Sequence, residues 1–271
     1  MALLIALAPR PQSRYLWGML NYTTFGSPTD APPLIIAHGL FGSGRNWGVI
    51  AKRLSDRGQT FTPDMRNHGH SPRMPTQTYA DMAADLAELI HHIGGPVDLC
   101  GHSMGGKAAM ALALTHPDLI RRLIIADIAP VAYTHTQSMF IDAMRGVDLS
   151  TLTRRSDATE QLAAAGVDPA LQSFFTQSLD IPNQRWLLNL DVLEAEMPHI
   201  IGWPEDITGP FPGPTFFLSG GASDYVTHAH RPQIKSLFPA ARFGKLPGTG
   251  HWLHAEKPRD FEAAVRVFLD A

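Results

Sequence analysis

The chain has 271 residues, 44% of them hydrophobic and 17% charged, which is apolar material for one domain with a substantial core and an insertion in it. Its 22 basic and 25 acidic residues give a formal net charge of -3 with no long run of either sign, so there is no electrostatic footprint for nucleic acid or a membrane surface. A single cysteine, Cys100, excludes an internal disulfide and fits a reducing compartment, so a cytoplasmic location is expected.

In chain order, residues 1–18 read as a poorly ordered N-terminal extension. Its apolar start, residues 1–8, is too short to span a bilayer and lacks the basic residue that opens a signal peptide, so no membrane insertion is expected. A first strand is expected from Met19. Four further apolar runs, 34–37, 59–62, 97–100 and 123–126, end in His38-Gly39, Pro63-Asp64, Gly101 and Asp127. Each delivers polar or glycine residues at its C-terminal end, where open α/β sheets collect their sites. Met82, Leu86, Leu89, Ile90 and Ile93 form a helical stripe, with Thr78 and Asp81 spaced as a capping box and Gly94-Gly95 as the stop.

From 133 to 210 the strand signal disappears, and segments 158–165, 169–178 and 184–196 read as helices of an inserted cap. Strands resume at 215–218 and 241–246, and a closing helix at 258–269 carries Phe261, Val265 and Phe268 on one side. The fold class is therefore α/β, a mostly parallel sheet flanked by helices, with residues 19–132 and 211–271 as the core and 133–210 as the cap.

The strongest chemical signal is Gly101-His102-Ser103-Met104-Gly105-Gly106, a Gly-x-Ser-x-Gly pattern between a strand and a helix expected at 107–115. Such a turn exposes the serine hydroxyl and sets it over a helix N-terminus, whose free N–H groups suit a developing oxyanion. The hydroxyl needs a base. Among 13 histidines, His251 lies in a Gly-rich turn after the last strand, as the order serine, acid, histidine requires. His254 reads as a surface residue or one packed behind it, His91 and His92 as helix-surface residues, and no pair has metal-ligand spacing. The amides of Leu40 and Met104 are the expected oxyanion hole. Two acids, Asp127 and Asp224, both follow strands, and spacing alone does not choose between them.

His38-Gly39-Leu40-Phe41-Gly42-Ser43, Asp64-Met65-Arg66-Asn67-His68-Gly69-His70-Ser71, Gly101 to Lys107, Asp127-Ile128-Ala129-Pro130 and Gly250-His251-Trp252 to Pro258 together resemble the α/β-hydrolase fold family, specifically the YbfF-type small esterases and their mitochondrial relatives. That resemblance implies activity on short-chain esters, no cofactor, and a triad acid at the position of Asp127. Asp224 departs from the subgroup's pattern and stays as the alternative acid. The 64–71 loop reads as structural, with a tight turn at Gly69 and an ion pair at Arg66.

The expected substrate is a small-molecule ester or thioester, cleaved through an acyl-enzyme without metal or cofactor. Phe41, His102, Phe140, Phe174, Trp186 and Trp252 are the candidate substrate-binding residues, and Met144, Phe175, Met197 and Trp203 are further cap residues placed to line a pocket or glue the cap down. A cofactor-free haloperoxidase and a carbon-carbon bond hydrolase use the same constellation, and a non-catalytic ligand-binding protein is the reading from another class.

Overall fold

A computed structural model of the protein describes residues 18–271; the extension read from residues 1–18 lies, apart from Gly18, outside the described residues. The chain opens with strands β1 (Tyr22–Phe25) and β2 (Leu34–Ala37), helix α1 (Gly48–Leu54), β3 (Thr60–Pro63) and α2 (Tyr79–Ile93). Then come β4 (Val97–His102), α3 (Met104–Thr115) and β5 (Ile120–Ala126). The cap follows as α4 (Ser138–Arg145), α5 (Arg155–Ala164), α6 (Pro169–Phe175), a ribbon of β6 (Leu179–Asp180) and β7 (Arg185–Trp186), α7 (Leu190–Ala195) and α8 (Met197–Ile201). The core resumes with β8 (Thr215–Gly220), α9 (Arg231–Leu237), β9 (Ala241–Leu246), α10 (Leu253–Glu256) and α11 (Pro258–Asp270).

Among the described residues, seven strands form one sheet in the order β1-β3-β2-β4-β5-β8-β9, parallel except for the edge strand β1. Both faces are covered, which explains why the central strands are continuous apolar runs rather than alternating ones. Leu34, Ile36, Cys100 and Ile124 pack on one face with Trp47, Leu54, Phe261 and Val265. Ile35, Leu99, Leu123 and Ile125 pack on the other with Met82, Leu86 and Met110 of α2 and α3. Register decides what the strands present at their ends. His102 stands opposite Ala126 and Ala126 opposite Leu218, so Ser103 and Asp127 leave adjacent strands at one level.

Helix α2 begins where the Thr78 hydroxyl accepts the Asp81 N–H at 3.2 Å, and Gly94 ends it at φ 86°. Only half of the expected capping box forms, because the Asp81 carboxylate takes the Thr78 hydroxyl (2.7 Å) rather than its amide.

The helix expected over 184–196 is shorter. Gln184 sits at φ 49°, Arg185–Trp186 pairs antiparallel with Leu179–Asp180, and the helix starts only at Leu190. The backbone between finds distant partners instead: Leu187 N–H donates to Ser178 O (2.7 Å) and Asn189 N–H to Asn67 O (2.9 Å). The 169–178 helix likewise ends at Phe175, with a 3-10 turn after it. Ile141, Met144, Trp186 and Leu193 of the cap are buried in the same cluster as the side chains of α2 and α3, so cap and body share one core.

Candidate active site

The turn between β4 and α3 forces Ser103 to φ 51°, ψ -120°, a conformation L-residues rarely adopt. The flanking glycines are there for space. A Cβ on Gly101 would lie 2.3 Å from Gly105 O, and one on Gly105 would lie 2.4 Å from His38 O. Met104 opens α3, so its N–H has no intrahelical acceptor.

His251 follows β9 in a turn and approaches from the far side of β5. Its Nε2 is 3.1 Å from Ser103 Oγ and its Nδ1 is 2.8 Å from Asp127 Oδ2. Asp127 is fully buried, itself at φ 50°, and its carboxylate also accepts the Gly220 N–H (3.0 Å) and the Ser223 hydroxyl (2.5 Å). Three donors converge on this one carboxylate, which fixes its orientation toward the His251 ring. Asp224, one residue beyond Ser223, is exposed.

Leu40 borders the cavity above Ser103. Its neighbour Phe41 has φ 63° and gives its N–H to His68 Nε2 at 3.1 Å. Gly39 O accepts from His38 Nδ1 (2.8 Å) and from Gly42 N–H (3.1 Å).

The cavity has a volume of about 230 Å³. Of the residues assigned to substrate binding, Phe41, His102, Phe140, Phe174 and Trp252 border it, together with Phe175. His102 has a second commitment, since its Nε2–H donates to the His251 carbonyl at 2.9 Å and burial holds it neutral. Trp186 does not belong with them. It is buried in the cap and donates its indole N–H to Met144 O at 2.9 Å, so it joins β7 to α4. Met144, Met197 and Trp203 likewise pack in the core away from the cavity lining. His254 is not a surface residue, for it stacks on Trp47 with ring centroids 4.1 Å apart and burial pushes it down to about 3. His91 and His92 are exposed on α2.

Sequence reasoning missed three neighbours. Tyr225 lies flat on the His251 ring, centroids 3.9 Å apart, while its hydroxyl meets His135 Nε2 at 2.9 Å. Ser223 was passed over for Asp224, though it is the one that reaches Asp127. Lys107, one turn along α3 from Ser103, is buried at the cavity wall with its ammonium donating to Ile201 O (2.9 Å) and Gly202 O of the cap. The signal for Lys107 was its position, a lysine on the helix face that ought to be apolar.

In the 64–71 loop, Arg66 forms a buried two-point pair with Asp85 at 2.6 and 2.7 Å. Gly69 turns at φ 56° against the Asp64 carboxylate.

Residues 34–264 match the family model of the Alpha/beta hydrolase family. The chain is 39% identical over 261 residues to the mouse protein named sn-1-specific diacylglycerol lipase ABHD11, covering 92% of this chain and 85% of that one. It is 38% identical over 246 residues to Esterase YbfF of Escherichia coli K12, covering 88% of this chain and 93% of that one. Among solved structures it is similar to a marine microorganism esterase, with 37% identity, a TM-score of 0.86, and coverage of 92% and 99% of the two chains.

Proposed function

This chain belongs to the α/β-hydrolase family and is a carboxylic ester hydrolase, and on that footing we propose that it cleaves small acyl esters through Ser103, His251 and Asp127 with an acyl-enzyme intermediate. The observation carrying the reading is the continuous contact Ser103 Oγ, His251 Nε2, His251 Nδ1, Asp127 Oδ2 at 3.1 and 2.8 Å.

Ser103 Oγ attacks the ester carbonyl as His251 Nε2 takes its proton, and the negative charge on the carbonyl oxygen falls to the Leu40 and Met104 amides. Asp127 keeps the proton on Nδ1 and balances the imidazolium. Collapse breaks the bond to the leaving oxygen, which His251 protonates. Water then attacks the acyl-enzyme with His251 again as base, and Ser103 recovers its proton as the acid departs. A thioester enters by the same route with a thiol as leaving group.

The apolar cavity walls, Phe140, Phe174 and Phe175 above all, and its volume of about 230 Å³ favour a short acyl chain. The mouse relative's name adds acylglycerols to the esters worth offering. Turnover of a p-nitrophenyl ester series from acetate to laurate, beside acyl-thioesters, is expected to peak at short chains. It is expected to fall by several orders of magnitude in a folded Ser103→Ala variant. Near-normal kcat in that variant would sink the nucleophile assignment.

A further inference from the structure

We propose that His68 is a positioning residue for the oxyanion hole, its Nε2 lone pair holding the Phe41 amide so that the Leu40 amide before it stays aimed at the substrate oxygen. The inference rests on the reading of Ser103 as nucleophile and of Leu40 as an oxyanion donor.

A donor for a developing oxyanion must be fixed before the reaction, because any reorganisation is added to the barrier. The Leu40 N–H belongs to a loop that would not hold its shape unaided. Phe41, a bulky residue, sits at φ 63°, where such a side chain is strained by roughly 1–3 kcal/mol unless its surroundings impose it.

Two imidazoles impose it. The peptide carrying the Leu40 N–H has Gly39 O at its other end, and that oxygen is pinned by His38 Nδ1–H at 2.8 Å and Gly42 N–H at 3.1 Å. The next peptide has its N–H pinned by His68 Nε2 at 3.1 Å. The peptide after that, joining Phe41 to Gly42, is held at its carbonyl, where Phe41 O accepts the Ser178 hydroxyl at 3.3 Å.

The tautomers follow from the partners. His68 Nδ1 faces Arg66 O at 2.8 Å and must carry the proton, leaving Nε2 as an acceptor. His38 Nε2 accepts the Met65 N–H at 2.8 Å, so its Nδ1 is the donor to Gly39 O. The rings pack edge to face, centroids 5.1 Å apart. Together they clamp the loop bearing Leu40 to the 64–71 loop. Protonation of His68 would replace the acceptor by a donor facing another donor, but burial holds it down at about 3, so the clamp persists at neutral pH.

Two amide substitutions test the role, since asparagine places its polar atoms near Nδ1 of the imidazole and glutamine reaches to Nε2. His68→Asn is expected to lower kcat on a short-chain ester by about 10²- to 10³-fold, with KM within about threefold. His68→Gln is expected to restore at least about tenfold of that loss. The inhibition constant of an alkylboronic acid, which forms a tetrahedral adduct on the serine, should rise in step with the loss in kcat/KM. Phe41 amide exchange, read by NMR, should be fast in the asparagine variant and slow in the glutamine variant. Equal kcat in the two variants, or a loss of stability with kcat unchanged, overturns the assignment.

If His68→Asn does not fold, His68→Gln decides. The proposal stands if its kcat follows the protection of the Phe41 amide and falls if the two part. Failure of the underlying reading is seen elsewhere, in activity that survives Ser103→Ala.

Discussion

The turns at the C-terminal edge of the sheet and the cap above them wall the same cavity by different means. At the sheet edge, Phe41 and Ser103 at the cavity wall and Asp127 behind His251 are backbone-strained, with φ values of 63°, 51° and 50°, each held by hydrogen bonds or by glycine neighbours that admit no Cβ. In the cap, Phe140 and Phe174 reach the cavity as side chains of ordinary helices. Reacting groups that must stay within about 0.5 Å of productive geometry suit an over-determined backbone. A wall that only sets the shape of the acyl site can change one side chain at a time.

The largest effect that would break this comparison lies at the sheet edge. Asp127→Asn replaces an acceptor of three hydrogen bonds by an amide whose NH2 faces donors, and favours the wrong tautomer of His251. A fall in kcat of about 10⁴ is expected. Asp224→Asn, at an exposed position, should stay within about threefold of the unmodified enzyme. Steady-state kinetics with thermal unfolding on both variants checks this, and the reverse ranking in folded proteins would move the acid to the later strand.

A smaller effect separates two kinds of cap residue. Trp186→Ala should cost about 3–5 kcal/mol of stability, measured by denaturant unfolding, because it empties a buried site and leaves Met144 O without its partner. Its chain-length preference should not change. Phe174→Ala should do the opposite, moving the preferred acyl chain to longer esters by about 10-fold in relative kcat/KM with little loss of stability. A shift in preference from Trp186→Ala and none from Phe174→Ala would make the cap wall something other than these side chains.

What could be read from the sequence follows the same division. The serine turn is legible because its geometry demands glycine, and glycine at a fixed spacing between strand and helix is visible locally. The two aspartates are equivalent by spacing, and what separates them is register: β5 lies next to β4 with Ala126 opposite His102, a long-range fact. In the cap, 184–196 carried a helical pattern, yet its first residues pair with Leu179–Asp180 and with Asn67 O, partners no local pattern announces. His68 was absorbed into a loop read as structural, because the amide it holds is 27 residues away.

A further predicted effect sits where the two regions meet, at Lys107, whose amino group on α3 donates to Ile201 O and Gly202 O at the end of α8. It lies over the Tyr133 ring at 4.8 Å, and no carboxylate is paired with it among the described residues. Burial pushes it down from 10.5 to about 7. The unfolded chain therefore binds more protons at this site than the folded one between about pH 7 and 10.5, and this site's contribution to stability is expected to rise with pH across that window. One group contributes at most about 1.4 kcal/mol per pH unit. A neutral amine still donates two hydrogen bonds, so the tie between α3 and the cap survives deprotonation. Lys107→Met removes the titration and keeps the apolar stem. The difference in unfolding free energy between the unmodified protein and Lys107→Met should therefore grow from pH 7 to pH 9.5, below the range in which Tyr79 and Tyr133, both raised by burial, would ionise. A flat or shrinking difference would mean that the lysine stays charged when folded, with carbonyls and aromatic faces compensating its burial in full, and that the junction between cap and sheet edge is an electrostatic contact rather than a neutral one.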